Sequence, residues 1–244
     1  MMITKIILKK QKDKINPLNK KSQEGNLSIS KERVMQKIQQ RQEEILKIAS
    51  ELFLKYGYKK TSLQMIIERT GGSFATIYKF FNNKEDLFQK VIESNHKNFI
   101  ETLKEIFVQN VDSHLNVEKY FYNIGLCLIE EMLKKNNIAL MRLTIIEAHK
   151  SPNLIKAFHQ SAADVNYFFS KGIEYYNDKY HLDIQKNEIE EYARLLVRLI
   201  VEPYFLYPLL DPDYKPPKKQ EIKSSLKSAI EIFMLYLKNN KETK

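Results

Sequence analysis

The chain is 244 residues long, 43% hydrophobic and 29% charged, with a formal net charge of +10. That length suits one or two domains, and the hydrophobic share supports a buried core. No apolar run approaches the roughly 18 residues of a membrane span, and the apolar piece at residues 6–8 is too short for a signal-peptide core, so a cytoplasmic protein without a membrane partner is expected.

Residues 1–29 are rich in Lys, Asn and Gln, with Pro17 and Gly25 and no sustained period, and are expected to be a basic, disordered extension. Ser30 can cap a helix running to about Tyr56, in which Ile45, Ile48, Ala49, Leu52 and Phe53 share a face and Gly57 marks the end. Residues 61–85, TSLQMIIERTGGSFATIYKFFNNKE, then read as a helix, a tight turn, a short second helix and a fresh helix start. Thr61 or Ser62 can cap the first of these, since a hydroxyl accepts from the free N–H groups of the first turn. Gly71 and Gly72 allow the sharp break, Ser73 can cap the short helix, and Asn82 or Asn83 the next, whose first turn holds Glu85 and Asp86. Two short helices joined by a glycine turn form a helix-turn-helix, whose second helix enters the DNA major groove.

Helices follow from Lys84 to about Phe107, from Val117 to Lys135 and from Ala139 to His149, with loops at 112–116 and 136–137. Ser151 followed by Pro152 starts another helix, to about Lys179. One more covers 187–207, a loop covers 211–217, and a last helix covers 219–237. No region alternates as a strand does. The expectation is an all-α chain of about nine helices, with an N-terminal helix-turn-helix domain at 30–83 and a helical ligand-binding and dimerisation domain at 84–244.

The charge is uneven. Residues 1–83 hold 17 Lys and Arg against 7 Asp and Glu, whereas residues 84–244 hold 23 of each. The whole excess lies with the helix-turn-helix and the segment before it, as a nucleic-acid footprint requires. The single cysteine, Cys127, lies in an apolar helical run and is expected to be a buried, reduced thiol. The five histidines at 96, 114, 149, 159 and 181 show no close ligand spacing, and no glycine-rich phosphate loop or nucleophile motif occurs. An enzyme, a metal site and a cofactor are therefore not expected.

Residues 45–85 resemble the TetR family of bacterial transcription regulators. The family's "IL-x-x-A-x-x-LF-x-x-x-G" helix is met by Ile45-Leu46, Ala49, Leu52-Phe53 and Gly57. Its "TS" start is Thr61-Ser62, its "AGVS" turn is Thr70-Gly71-Gly72-Ser73, and its close is Thr76-Ile77-Tyr78, Phe81 and Lys84-Glu85. The later stretch MRLTIIEAHKSPNLIKAFHQSAADVN looks like the ligand domains of AcrR-like members.

The resemblance implies a homodimeric regulator, most often a repressor, released from a palindromic operator by a small hydrophobic or amphipathic effector. The family's mechanism has the ligand shift the helix that starts at Lys84, altering the separation of the two recognition helices. Ser62, Ser73, Tyr78 and Lys84 match positions that hold DNA phosphates, contacts that set register, and Thr61 is a further DNA-binding candidate. Phe74, Ala75, Thr76 and Lys79 face outward on the recognition helix; Lys79 suits guanine O6/N7, and Ala75 or Thr76 a thymine methyl. Candidate effector contacts are Tyr120, Phe121, Ile124, Leu128, Met132, Phe158, Phe168 and Tyr175, with Arg142, Glu147, His149 and Arg194 as polar groups in apolar helices. Leu195, Leu196, Leu199, Ile200 and Tyr204, with Leu226, Ile230, Phe233 and Met234, are the candidates for a two-fold four-helix interface.

The chain departs from the family pattern at Ile67, where Ala is usual, at Gly72, where Val is usual, and at Phe74, where a basic residue is common. A compensating exchange of volume between Ile67 and Gly72 is expected. The basic extension, net +7 over residues 1–40, is expected to offset the missing contact at 74 through nonspecific or minor-groove binding. The competing reading is a DNA-binding architectural or cell-division protein on the same fold, whose mark would be a closed core without a pocket.

Overall fold

In the computed structural model, backbone is described for residues 17–111 and 116–242, and side chains for 31–109 and 116–239. These residues form ten α-helices and one 3₁₀ turn: α1 (Pro17–Lys60), α2 (Leu63–Thr70), α3 (Phe74–Phe80), α4 (Lys84–Val111), α5 (Val117–Met132), α6 (Lys135–Ala148), α7 (Pro152–Tyr180), α8 (Lys186–Val201), the turn Glu202–Tyr204, α9 (Leu206–Leu210) and α10 (Lys219–Glu242). The all-α expectation holds.

Several boundaries differ from the sequence reading; α6, for one, begins at Lys135, so the break expected at 136–137 is helix. Helix α1 begins at Pro17 rather than Ser30, so residues 17–29 are helix where disorder was expected. Proline fits a first helical turn, and the Lys, Gln, Glu and Leu that follow are good helix formers. Residues 1–16, and most of the loop expected at 112–116, lie outside the described residues. The helix expected over 187–207 is interrupted at Glu202–Tyr204 because Pro203 has no N–H to continue the ladder; this creates α9 and brings the number of helices among the described residues to ten. Gly57 breaks the regular helix inside α1, with φ 80° and ψ 163°.

The buried apolar side chains fall into two clusters. One joins Ile45, Ala49, Leu52 and Phe53 of α1 to Ile66, Ile77, Phe81, Leu87 and Phe88, and extends to Leu140 of α6 and Leu154 of α7. At its centre Phe88 meets Phe53 edge-on, with ring centroids 5.0 Å apart, and Tyr58 at 4.9 Å. Burying one such ring contributes about 1.5–3 kcal/mol. The second cluster packs α5, α7, α8 and α10 around Phe121, Phe169 and Phe233. Gly172 permits the approach of α7 to α5: a Cβ there would come within 2.5 Å of Tyr120 Cε1. Helix α4 spans both clusters, through Leu87, Phe88 and Val91 at one end and Leu103 at the other.

Candidate nucleic-acid interface and internal cavity

The helix-turn-helix is built by its caps. The Met65 N–H donates to Ser62 Oγ at 3.2 Å, so Ser62, not Thr61, caps α2. The Thr76 N–H donates to Ser73 Oγ at 3.3 Å at the start of α3. Asn83 Oδ1 accepts the Asp86 N–H at 2.8 Å at the start of α4. These caps satisfy backbone donors that the helix leaves free. Helix α3 buries Ile77 against the first cluster. The opposite face leaves Phe74, Ala75, Tyr78 and Lys79 exposed and Thr76 half-buried. Phe74 and Tyr78, one turn apart, stack with centroids 6.3 Å apart, forming an aromatic ridge along the exposed side.

Two of the residues expected at the DNA have other work. Thr61 is only 1% exposed. Its hydroxyl donates towards the carbonyls of Gly57, at 2.8 Å, and Leu52, at 3.1 Å. Its polarity thus mends the helix end at Gly57. Lys84 Nζ donates to the carbonyls of Tyr58 at 3.0 Å, Thr61 at 3.1 Å and Lys59 at 3.4 Å. It also lies 4.5 Å over the Tyr58 ring. Burial pushes the Lys84 pKa down, while the charge of Glu147 acts in the opposite direction. Lys84 is a clamp between the start of α4 and the turn after α1, with its three protons already engaged.

Arg41 has no counterpart in the sequence reading. Its guanidinium donates to Thr70 O at 2.9 Å and to Gly71 O, capping the end of α2. Gly72 follows with φ 138°, a region L-residues rarely enter. A Cβ there would sit 3.0 Å from Arg41 Nη2 and 3.5 Å from Thr76 Oγ1. The three atoms nearest a Cβ at Gly72 thus belong to Arg41 and Thr76, not to Ile67, with which an exchange of volume was expected.

Below the first cluster lies a cavity of about 300 Å³. Its wall comes from Ile92, Asn95, His96 and Phe99 of α4, Leu128, Glu131 and Met132 of α5, Met141 and Thr144 of α6, Phe158, Val165 and Asn166 of α7, Val197 and Val201 of α8, and the segment carrying Tyr204, Phe205, Pro208 and Leu209. The lining is mostly apolar with a few polar groups, the composition of small-molecule sites, and the volume is at their lower limit. A wider trough of about 1640 Å³ between residues 31–54 of α1 and α4 is lined largely by charged and polar side chains and suits solvent better.

Of the expected effector contacts, Leu128, Met132 and Phe158 line this cavity. Tyr120, Phe121, Ile124 and Phe168 do not; they are buried in the second cluster. Helical period turns that face of α5 towards α7 and α10, and the Tyr120 hydroxyl donates to Phe168 O at 2.6 Å. Tyr175 and His149 are exposed, away from the cavity. Glu147 lies near Tyr58 and Lys84, whose titration it influences, and Arg194 is an exposed partner of Glu190 at 3.7 Å. Arg142 acts one step back. Its guanidinium donates to the carbonyls of Pro208 at 2.5 Å, Leu209 at 3.1 Å and Asp211 at 2.5 Å, holding α9 against the cavity. Sequence reasoning missed Asn95, His96 and Asn166. Asn166 alone left a signal, a polar residue within the apolar run 162, 165, 166, 169 of α7.

The expected interface residues are also corrected. Leu196, Ile200, Tyr204, Leu226, Ile230, Phe233 and Met234 are all at most 6% exposed within a single chain. They are the core between α8, α10 and α5. The more apolar stripe of each helix was consumed inside the protomer. A second stripe on α10, Ile232, Leu235 and Tyr236, remains exposed beside the half-buried Tyr192 of α8, whose ring meets Tyr236 edge-on at 5.8 Å.

Among the described residues no helix is long and apolar enough to cross a membrane, and no group of three or more His, Cys, Asp or Glu is placed to hold a metal.

Residues 45–91 match the family model described as bacterial regulatory proteins, tetR family. Over 80 residues the chain is 30% identical to the HTH-type transcriptional regulator YhgD of Bacillus subtilis, covering 33% of this chain and 42% of that protein. It is 32% identical over 80 residues to the HTH-type transcriptional repressor ComR of Escherichia coli, covering 32% and 38%. These matches thus span less than half the length of either relative. A TetR-family transcriptional regulator from Mesorhizobium loti superposes with a TM-score of 0.72 at 20% identity, over 82% of this chain and 97% of that one.

Proposed function

Because the chain belongs to the tetR family of bacterial regulatory proteins, we propose that it is a DNA-binding transcriptional regulator whose hold on a palindromic operator is released by a small apolar or amphipathic effector. It acts as a homodimer in the cytoplasm, where its operator is.

The observation that carries this reading is the double duty of α4. Its first turns supply Leu87, Phe88 and Val91 to the core under the recognition helix. Its next turns supply Ile92, Asn95, His96 and Phe99 to the cavity wall. Lys84 clamps its start to the turn after α1, and Ser151 Oγ donates to Glu85 Oε1 at 2.5 Å, tying it to the start of α7. A ligand that moves this helix therefore moves the helix-turn-helix with it, and half-site spacing makes binding sensitive to such a shift. The cavity counts against the architectural alternative, whose mark is a closed core.

Within that reading Ser62, Ser73 and Tyr78 contact phosphates, and Ala75, Thr76 and Lys79 read bases, with Phe74 stacked on Tyr78. The dimer face is the exposed stripe Ile232, Leu235 and Tyr236 of α10 with Tyr192 of α8. The basic residues ahead of α2 add nonspecific attraction.

The test is selection of binding sites from random duplex DNA, repeated with residues 1–29 removed. A palindromic motif is expected, with a shallower salt dependence for the shortened chain. Binding without an enriched motif that collapses as salt rises would overturn the regulatory reading in favour of the architectural one.

A further inference from the structure

The side-chain oxygen of Asn166 is shut off from solvent and has no hydrogen-bond partner among the described residues, while the residue forms part of the cavity wall. Native structures pair nearly all such buried acceptors, because an unmet one keeps its desolvation cost without a compensating bond. The oxygen in this rotamer is closed even to a water-sized sphere. The terminal torsion of an asparagine is broad and roughly two-fold, so a half-turn about χ2 exchanges the places of the amide oxygen and Nδ2. An occupant carrying a donor would reward that turn; an empty cavity does not.

Several other polar groups around the wall are engaged, and Asn95, Ser161 and Tyr204 line it as well. His96 Nε2 meets Asp164 Oδ2 at 3.0 Å. Glu131 is held by Lys134 and by Asn137, whose Nδ2 donates to its Oε2 at 3.3 Å. Thr144 Oγ1 donates to Leu140 O at 2.8 Å. Among the described residues no Lys or Arg lines the cavity. An anion entering it would meet the carboxylate of Glu131, with that of Asp164 behind His96, and no unpaired cation.

Resting on the effector reading above, we infer that the cavity takes a neutral or cationic apolar molecule bearing a hydrogen-bond donor at its polar end, held by the Asn166 amide oxygen. It rejects carboxylates of the same length. Asn166 is then the specificity-determining residue of the site, and the apolar wall supplies affinity without discriminating head groups.

The test uses ten-carbon probes titrated calorimetrically into the full chain without DNA: 1-decanol, decylamine, nonyl methyl ether and decanoate. Decanol and nonyl methyl ether are isomers that differ by one donor. Decanol and decylamine are expected to bind about tenfold or more tightly than the ether, the scale of a lost bond to a buried acceptor, with decanoate weakest. Asn166→Leu is expected to level decanol and ether, and Asn166→Asp to keep the preference and sharpen it for decylamine. Equal binding of decanol and ether by the natural chain, a preference that survives Asn166→Leu, tighter binding of decanoate, or no binding by any probe would each overturn the inference. The natural chain alone decides the first comparison, so a variant that fails to fold leaves it standing. DNA release is measured separately: selective binding with unchanged operator affinity would sink the effector reading and leave the ligand preference intact.

Discussion

The Lys84 ammonium donates to the Tyr58 carbonyl at 3.0 Å and lies 4.5 Å above the ring of the same residue. One side chain thus fastens the first residue of α4 to the turn that ends α1. Lys84→Met removes the donor for three carbonyls and the ring contact together. Chemical denaturation should show a loss of about 1–3 kcal/mol. If Lys84 is a clamp and not a phosphate ligand, operator affinity falls while the slope of log K against log salt stays unchanged. A slope reduced by about one charge would return Lys84 to the phosphate contacts.

Gly72→Val restores the residue usual in the family and should still destabilise this chain, by about 1–3 kcal/mol. The position has φ 138°, and a Cβ would press on Arg41 Nη2 at 3.0 Å. Adding Ile67→Ala should bring no recovery, because the atoms nearest a Cβ at 72 belong to Arg41 and Thr76. A double variant more stable than Gly72→Val alone would re-establish the coupling expected from the sequence.

Tyr78→Phe and Lys79→Ala should differ in kind. Loss of a phosphate bond at Tyr78 weakens all operators alike, by about 0.5–1.5 kcal/mol. Loss of Lys79 relaxes one base position, worth about 1–3 kcal/mol of discrimination. Competition assays with single-base operator variants separate the two; a uniform effect of Lys79→Ala would remove it from base reading.

Leu235→Asp and Phe233→Asp, two residues apart on α10, should fail differently. Leu235 is 59% exposed and Phe233 is fully buried. The first variant is expected to give a folded monomer by sedimentation, the second an unfolded chain by circular dichroism. A dimer that survives Leu235→Asp and Ile232→Asp together would place the interface elsewhere.

Burial pushes the Cys127 thiol up to about 11, with Glu131 and Glu130 adding to the rise. The folded state therefore favours the protonated thiol. Its contribution to stability is complete below pH 9, the ordinary thiol value, and is lost as pH climbs from there towards 11. At pH 8 the thiolate fraction is roughly a hundredfold below that of an ordinary cysteine. Alkylation by iodoacetamide should be correspondingly slow and should accelerate with pH beyond 9. A rate matching free cysteine at pH 8 would show an activated thiol.

Local features of the chain were legible in the sequence because they depend on neighbours a few residues away. The helix-turn-helix, the caps at Ser62, Ser73 and Ser151, the break at Gly57 and the all-α class all follow from capping chemistry and helical period. Which apolar face meets which partner does not. Helices α8 and α10 each carry apolar residues beyond one narrow stripe, and periodicity cannot tell the stripe that packs on α5 from the one left outside. Tyr120 and Leu128 lie on the same helix, yet one bonds across to Phe168 and the other lines the cavity.

The sequence by itself determined the class of molecule, a helical protein with a DNA-reading motif near its N-terminus, because that motif is written in contiguous residues. Only the tertiary structure decided that Lys84 and Thr61 are spent inside, that Arg41 caps α2, and that Asn166 stands unpaired beside a cavity. Each of these depends on hydrogen-bond partners, or on their lack, set by the packing of segments. Arg41 and Thr70 are 29 residues apart, and His96 and Asp164 are 68 apart. Chain proximity carries no record of such pairs, and packing alone brings them together.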